Sequence, residues 1–419
     1  MAAEPPSQAP QSGGFPLYPE LPQSGSGLIP LPRIKGPKLR PFDFQGPQRI
    51  EFLEHLGDGV HSHVIKVKIL EQIYALKLFM FSNEEDYWGA AVSSQFDIKN
   101  RAQVTAFYEF LDPFNCECRA FGRLQESGHP ELAVECYGYV LLDEDHERAL
   151  RDRFPGDRLE DVLQDDREDR RWGFPTKTGG RPPIRGIVKE FGPGVDKLRN
   201  RHMSRLLQDI VQMQQLGIIH IDVGERQLIN GKLCDFSTAL TTPHFVMNPE
   251  LNPHLTPEGV ALMEFDLFRV SADDYVDFEE MIEEWNQDHR LQKDQISVKA
   301  LPESYGFSQR TYNLRMAASG ARERIFTRVD PRLYDWRAPT RVGDESSAGG
   351  RSQSSKGSSS GKSAAKVSKT RRRLKKPPRW YYEGSKENMA KLRESRSFAF
   401  SIEWVFKHGF FIPMKRRWV

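Results

Sequence analysis

The residues of this chain best suited to chemistry are two glycines, one lysine and three acids, set in a definite order. Gly57 and Gly59 stand one residue apart between Leu56 and Val64. Without a Cβ they let backbone N–H groups approach phosphate oxygens, although the same pair marks any tight turn. Lys77 ends the apolar run Ala75, Leu76, from which an ammonium reaches the α- and β-phosphates of a nucleotide if a carboxylate holds it. Glu117, in the helix-like stretch from Asn115 to Leu124, is the candidate partner. Taken singly, the two read better as an edge-strand lysine and a surface glutamate. The densest signal is His220, Ile221, Asp222, followed by Gln227 and then Asp235 inside Leu233–Ser237. In phosphoryl transfer one aspartate accepts the hydroxyl proton and another holds Mg²⁺. Asp222 and Asp235 are the candidates for those two roles, and Gly57, Gly59, Lys77 and Glu117 the candidate ATP contacts.

The surrounding elements must position these groups. β-prone runs cover Val64 to Ile69, Ile73 to Phe79, Tyr137 to Leu142 and Ile187 to Phe191. After them the period changes. Met203, Leu206, Leu207, Ile210, Val211, Met213 and Leu216 recur at close to 3.6 residues, and Gly217 supplies a stop. A second helical pattern surrounds Glu279 to Trp285. Strands first and helices later predict an α+β protein with a small β-rich part and a larger α-rich part.

Taken together, these pieces resemble the protein-kinase signature. The resemblance implies a two-lobed protein-kinase-like fold. Gly57 and Gly59 match the glycine-rich loop, Lys77 the strand lysine and Glu117 its helix partner. Asp222 matches the catalytic-loop aspartate and Asp235 the metal-binding one. Thr256, Pro257 and Glu258 are a faint echo of the motif that closes the activation segment. A closer resemblance lies in Gly36–Phe42, Asn115–Leu124, Asp235–Ala239 and the run from Trp380 through Leu392 to Trp404. These stretches are similar to the fungal family of Fta-two subunits of the kinetochore Sim-four complex. The similarity spans roughly residues 31 to 265 and 379 to 413. It implies a divergent kinase-like fold, a nuclear place at the inner kinetochore and other kinetochore subunits as partners.

Several positions depart from the kinase pattern. Ser62 replaces the third loop glycine, and Gly224 leaves the place two after Asp222 without a cation. Gln227 stands where an asparagine would hold the second Mg²⁺, a cation that tolerates little distortion of its octahedron. Ser237 replaces the last glycine of the metal-binding motif, and the short gap from Asp222 to Asp235 leaves little room for a hairpin. At ~1.4 kcal/mol per tenfold, two or three such losses remove much of a catalytic advantage. The expectation is a pseudokinase scaffold or interaction subunit, with an active or weakly active ATP-dependent phosphotransferase as the alternative.

Composition sets the remaining bounds. The chain has 419 residues, 38% hydrophobic and 28% charged, with a mean hydropathy of −0.61, so part of it is expected to stay unfolded. A Pro/Ser/Gly-rich leader is expected over 1–30, a kinase-like domain over 31–340 and a Ser/Gly/Lys/Arg-rich linker over 342–378. A hairpin-like extension follows over 379–419. Within the domain, the β-rich part covers about 45–192 with a charged insertion at 143–183, and the α-rich part about 193–340. Residues 351–379 carry eleven Lys and Arg and no acid, leaving −9 for the rest against a net charge of +2. Lys369, Arg371, Arg372, Arg373, Lys375 and Lys376 resemble a nuclear-import signal for an import receptor. They read equally as a solvated charge run, or as a weak, non-specific nucleic-acid contact. Phe398, Phe400, Ile402, Trp404 and Phe406 alternate with other residues before a turn at His408 and Gly409. The resulting hairpin either packs on the main domain or augments a partner's sheet, the first being favoured. Four cysteines without a C-x-x-C pair point to reduced, buried thiols. No apolar run is long enough to span a membrane.

Overall fold

The structure, a computed structural model, describes residues 27–81, 100–156, 159–163, 171, 181–195, 197–290, 295–300, 322–338, 374–385 and 402–415. The leader up to Ser26 and the linker up to Arg373, with Lys369, Arg371 and Arg372, lie outside these residues, as do Phe398 and Phe400.

The architecture is mixed α+β. Strands β1 (Glu51–Gly59), β2 (Ser62–Ile69), β3 (Gln72–Phe79), β4 (Cys136–Leu141) and β5 (Arg185–Glu190) form one antiparallel sheet in the order β1-β2-β3-β5-β4. Side chains alternate across a strand, so each carries two sets of residues. Ile65, Val67, Leu76, Leu78, Val140 and Val188 bury into one cluster. Phe79, Tyr139 and Ile187 belong to a second cluster that includes Phe114, Cys118 and Phe121. Lys77 sits between Leu76 and Leu78, and so falls on the Phe79 side.

The charged segment 143–183 connects the adjacent strands β4 and β5 and contains helices α3 (Glu144–Arg153) and α4 (Glu160–Leu163). Leu150, Leu159, Val162 and Leu163 join the Ile65 cluster. Glu147, buried, holds Arg171 at 2.8 Å and Arg181 at 3.1 Å.

Helices α1 (Arg101–Leu111) and α2 (Pro113–Glu126) meet at Asp112, which caps α2 by accepting from the N–H of Asn115. Eleven of the fourteen residues of α2 are buried. Gly122 permits this. A Cβ there would lie 2.6 Å from the backbone carbon of Lys38, which runs against the helix.

The second half begins with α5 (Asn200–Gln215), ended by Gly217 at φ +73°. Short strands follow: β6 (Ile218–Ile219), β7 (Leu228–Ile229), β8 (Lys232–Leu233) and β9 (Leu240–Thr241), with β6 paired to β9 and β7 to β8. The gap before Asp235 thus does hold a hairpin, because Asn230 and Gly231 both take positive φ and turn the chain in two residues. The helical pattern near Glu279 belongs to a much longer helix, α6 (Pro257–Asp288), 32 residues capped by Thr256. The Thr256–Glu258 motif is where that helix starts.

Strand β10 (Arg322–Thr327) pairs with β11 (Trp380–Ser385), and β12 (Ile402–Lys407) with β13 (Phe410–Lys415). The turn between the last two falls at His408 and Gly409, as expected. This hairpin packs on the body. The Trp404 ring meets Phe245 at 5.0 Å, and Phe411 stacks on Phe245 at 4.7 Å. Trp380 and Tyr382 of β11 press on Phe268 of α6. Truncating a buried tryptophan of this kind removes both transfer energy and packing. Trp404→Ala is expected to lower stability by about 3–5 kcal/mol, read from urea unfolding of the full chain. A loss below ~1 kcal/mol would mean that the hairpin is not part of the folding unit.

Candidate functional site

Strand β3 is central, so Lys77 is not an edge residue. It is 2% exposed and its partner Glu117 is fully buried. Lys77 Nζ donates to Glu117 Oε2 at 2.9 Å and to Asp235 Oδ1 at 2.6 Å. The register places Gly57 opposite Val64 and Val64 opposite Lys77, so the first glycine, the valine and the lysine form one row across three strands. Space above both glycines is open. A Cβ at Gly57 would meet nothing within 4 Å, and one at Gly59 only the Ser62 carbonyl at 3.9 Å.

Sequence reasoning missed a second lysine. Lys189 on β5 lies opposite Ala75 and on the same face as Lys77. Its ammonium donates to Glu117 Oε1 at 2.7 Å and to the Cys234 carbonyl at 2.8 Å. Glu117 therefore bridges two cations, one on each oxygen. Its Oε2 also accepts from the N–H of Phe236 at 3.4 Å, and Asp235 Oδ1 accepts from the N–H of Ser237 at 2.9 Å. Two ammonium groups and two carboxylates form a neutral, largely buried quartet. Burial alone would depress the Lys77 pKa, but Asp235 and Glu117 override it and raise it above the ordinary lysine range. Burial would likewise raise the Asp235 carboxyl, yet Lys77 and then Lys189 hold it well below the usual range. Lys189 carried no sequence signal, because a lysine in a β-prone run reads as a solvent-facing residue.

Asp222 and Gln227 form a second group. Asp222 Oδ2 accepts from Gln227 Nε2 at 2.7 Å, and Oδ1 is paired with the Arg226 guanidinium. Contrary to expectation, the place beside Asp222 does hold a cation. Gly224 has no charge, but the Arg226 side chain lies over it, with Nη1 3.1 Å from where a Gly224 Cβ would stand. The cation arrives from two positions further along the chain. The segment itself is held by a residue that the sequence did not flag. Asp274 of α6 accepts from the backbone N–H of Ile221 at 2.8 Å and of His220 at 3.2 Å, and from Gln214 Nε2 at 2.8 Å. This clamp fixes Ile221 at φ +69°, a conformation that β-branched residues avoid. The His220 ring packs on Phe236 at 4.9 Å, tying the segment to the one that carries Asp235.

Of the expected site residues, the structure brings Lys77, Glu117 and Asp235 into direct contact and sets Asp222 beside Gln227. Both groups are engaged by side chains of the chain itself. Among the described residues no group of three or more His, Cys, Asp or Glu is placed to hold a metal ion. Of the cysteines, Cys116, Cys118 and Cys136 are buried and Cys234 is half-buried, all as free thiols. Burial pushes the Cys234 thiol up to about 11.

Two predictions follow from these charges. Lys189→Met leaves a fully buried carboxylate with one cation fewer, and is expected to cost about 3–5 kcal/mol in denaturant unfolding. The acids of α6 act in the opposite sense. Burial first, then Asp273, Asp274, Glu280 and Asp222, push the Asp277 carboxyl up to about 9, and Asp277 Oδ2 has no hydrogen-bond partner among the described residues. A folded pKa above the unfolded value of about 3.9 gives stability that is complete below that value and falls as pH rises towards the folded one. Asp277→Asn should therefore melt above the wild type at pH 8, with the difference closing below about pH 4.

A match to the family model described as "Kinetochore Sim4 complex subunit FTA2" covers residues 28–240. That stretch contains the whole five-stranded sheet, α2, α5 and both ionic groups except Asp274. No curated protein matches the chain. With half of its length matched, the chain belongs to the family of kinetochore Sim4 complex subunit FTA2.

Proposed function

We propose that this chain is a kinetochore complex subunit whose core has a two-lobed protein-kinase-like organisation and serves as a pseudokinase scaffold for other kinetochore subunits. The family carries the kinetochore part and, with it, a nuclear, centromeric location. The kinase-like part is supported by the order of the pieces. Strands β1 to β3, with Gly57 in row with Lys77, precede a buried helix glutamate, and β4 and β5 complete the sheet after it. A helix, an H-x-D segment and a second aspartate on that same lysine come after it.

The observation that carries the scaffold reading is the engagement of every candidate catalytic carboxylate. Asp235 is held by Lys77, Glu117 is shared by Lys77 and Lys189, and Asp222 has one oxygen on Arg226 and the other on Gln227. A general base must reach the hydroxyl that it deprotonates, and Arg226 and Gln227 stand on the two oxygens of Asp222. Lys375 and Lys376 are exposed, in keeping with contact to an import receptor or a weak contact to nucleic acid.

A second reading, a weak ATP-dependent phosphotransferase, draws on Arg226, which restores a cation beside Asp222. Two measurements separate the readings. A tagged chain is expected to form foci on marked centromeres, and Asp222→Asn, which keeps the side chain's size, is expected to retain them. ATP with Mg²⁺ at 100 times a dissociation constant would add ~2.7 kcal/mol and raise the melting temperature by a few degrees. The scaffold reading expects no such rise. A rise, together with foci lost in Asp222→Asn at unchanged stability, would replace it with the phosphotransferase.

A further inference from the structure

Helix α5 has two faces. Met203, Leu206, Ile210 and Met213 pack into the core. Ser204, Leu207, Gln208, Val211, Gln212 and Gln215 recur at helical spacing and line a groove of about 720 Å³. This volume lies within the range of sites that enclose a ligand. Three turns of helix give it a length of about 16 Å. Its far wall is the segment from Leu374 to Arg379, held to the helix where Gln215 Nε2 donates to the Lys375 carbonyl at 2.6 Å. Leu374 and Val298 are half-buried against the core and, with Leu207, Val211 and Pro377, give the groove an apolar lining.

Two independent features identify what the groove would hold. The first is charge. Arg328, Lys376 and Arg379 line it, and among the described residues no Asp or Glu does. Lys376 and Arg379 are exposed. Arg379 rests on the Phe326 ring at 4.4 Å, and Arg328 donates to the Ala300 carbonyl at 2.6 Å. The second is an unsatisfied acceptor. Gln212 is 8% exposed, and its Nε2 donates to the Gln208 carbonyl, but its Oε1 has no hydrogen-bond partner among the described residues. Buried amide oxygens are rarely left so. A nucleic-acid backbone would satisfy the cations but has no donor on its phosphates for Gln212. A peptide has both carboxylates and backbone N–H groups.

We propose that this groove is the docking site for an acidic peptide segment of a partner protein. Apolar side chains of that segment enter between Leu207, Val211 and Leu374. Its carboxylates meet Lys376 and Arg379, and one of its backbone N–H groups donates to Gln212 Oε1. The mode is that of an amphipathic segment laid in a groove, with acidic residues recognised by a basic rim. The proposal goes beyond the kinetochore reading and does not depend on the kinase-like one.

The test uses the full chain in its own cells, with the photo-crosslinker p-benzoylphenylalanine placed at Gln208, an exposed position on the groove. Cross-linked sites are mapped by mass spectrometry. The expected product joins Gln208 to a segment of another protein with an excess of Asp and Glu. Its yield should fall at least tenfold when Lys376→Glu and Arg379→Glu are combined. If the reversal lowers the melting temperature, Gln212→Leu serves as the second variant and should also lower the yield. The proposal is overturned by no cross-link, by one to nucleic acid, to a second copy of this chain or to a segment without excess acid. It is also overturned by a yield that the folded variants leave unchanged. An acidic partner that is absent from centromeres would keep the groove assignment and sink the kinetochore reading instead.

Discussion

Everything near the candidate site depends on one buried carboxylate being neutralised from both sides. Glu117 is fully enclosed and carries Lys77 on one oxygen and Lys189 on the other. An isolated charge in such a place costs several kcal/mol, and an excellent geometry with every lone pair satisfied is what offsets it. The sheet provides that geometry. Lys77 and Lys189 stand on neighbouring strands, β3 and β5, on one face, two residues apart in register. A one-residue slip between the strands would send one ammonium to the opposite face and leave Glu117 with a single cation. The ionic group therefore specifies the strand pairing as much as the apolar residues do.

Glu117 must in turn be delivered accurately, and α2 is anchored at several points for that purpose. Its N-cap Asp112 takes the Arg185 guanidinium at 2.9 Å. Gly122 lets the Lys38 backbone pass in contact with the helix. Arg119 and Arg123, both buried, donate to the carbonyls at the end of β9, with Arg119 Nη2 at 2.8 Å from that of Thr241. Burial lowers the Arg119 pKa to about 10, which leaves it a cation at neutral pH. The helix is thus tied to the sheet at one end and to the segment after Asp235 along its length. Movement of α2 would disturb both sides of the site together, because guanidinium groups cut off from those carbonyls would be buried donors without acceptors.

The order of elements and most of the site were legible in the sequence, since both rest on local pattern. The β-prone runs match β2, β3, β4 and β5, the 3.6 period matches α5, and Lys77 and Asp235 stand out by their apolar, strand-like context and Glu117 by its helix-like one. What escaped was set by tertiary contact. Lys189 looks like a solvent-facing strand residue until α2 covers it. Asp274 looks like part of a polar helix face until the backbone of His220 and Ile221 meets it. Arg226 is two positions from where a cation was expected, and only the folded side chain closes that distance. The segment 143–183 looked like an insertion because charge outnumbers its apolar residues, yet Leu150, Leu159, Val162 and Leu163 suffice to complete the cluster around Ile65.

The two ionic groups differ in what their residues can be read to mean. In the buried quartet, loss of any one member leaves an uncompensated charge inside the fold, so Lys77, Glu117 and Asp235 stabilise the fold whether or not the chain does chemistry. Their presence is therefore weak testimony to catalysis. The second group is open to solvent: Arg226 keeps 69% of its side-chain exposure and Asp222 keeps 23%. Exposed pairs of this kind contribute little to stability, so the fold places no comparable demand on Asp222. Stabilisation of the fold explains the first three residues and not the fourth. Asp222 is thus the position at which chemistry and architecture separate, and a role found there would be a role in function rather than in folding.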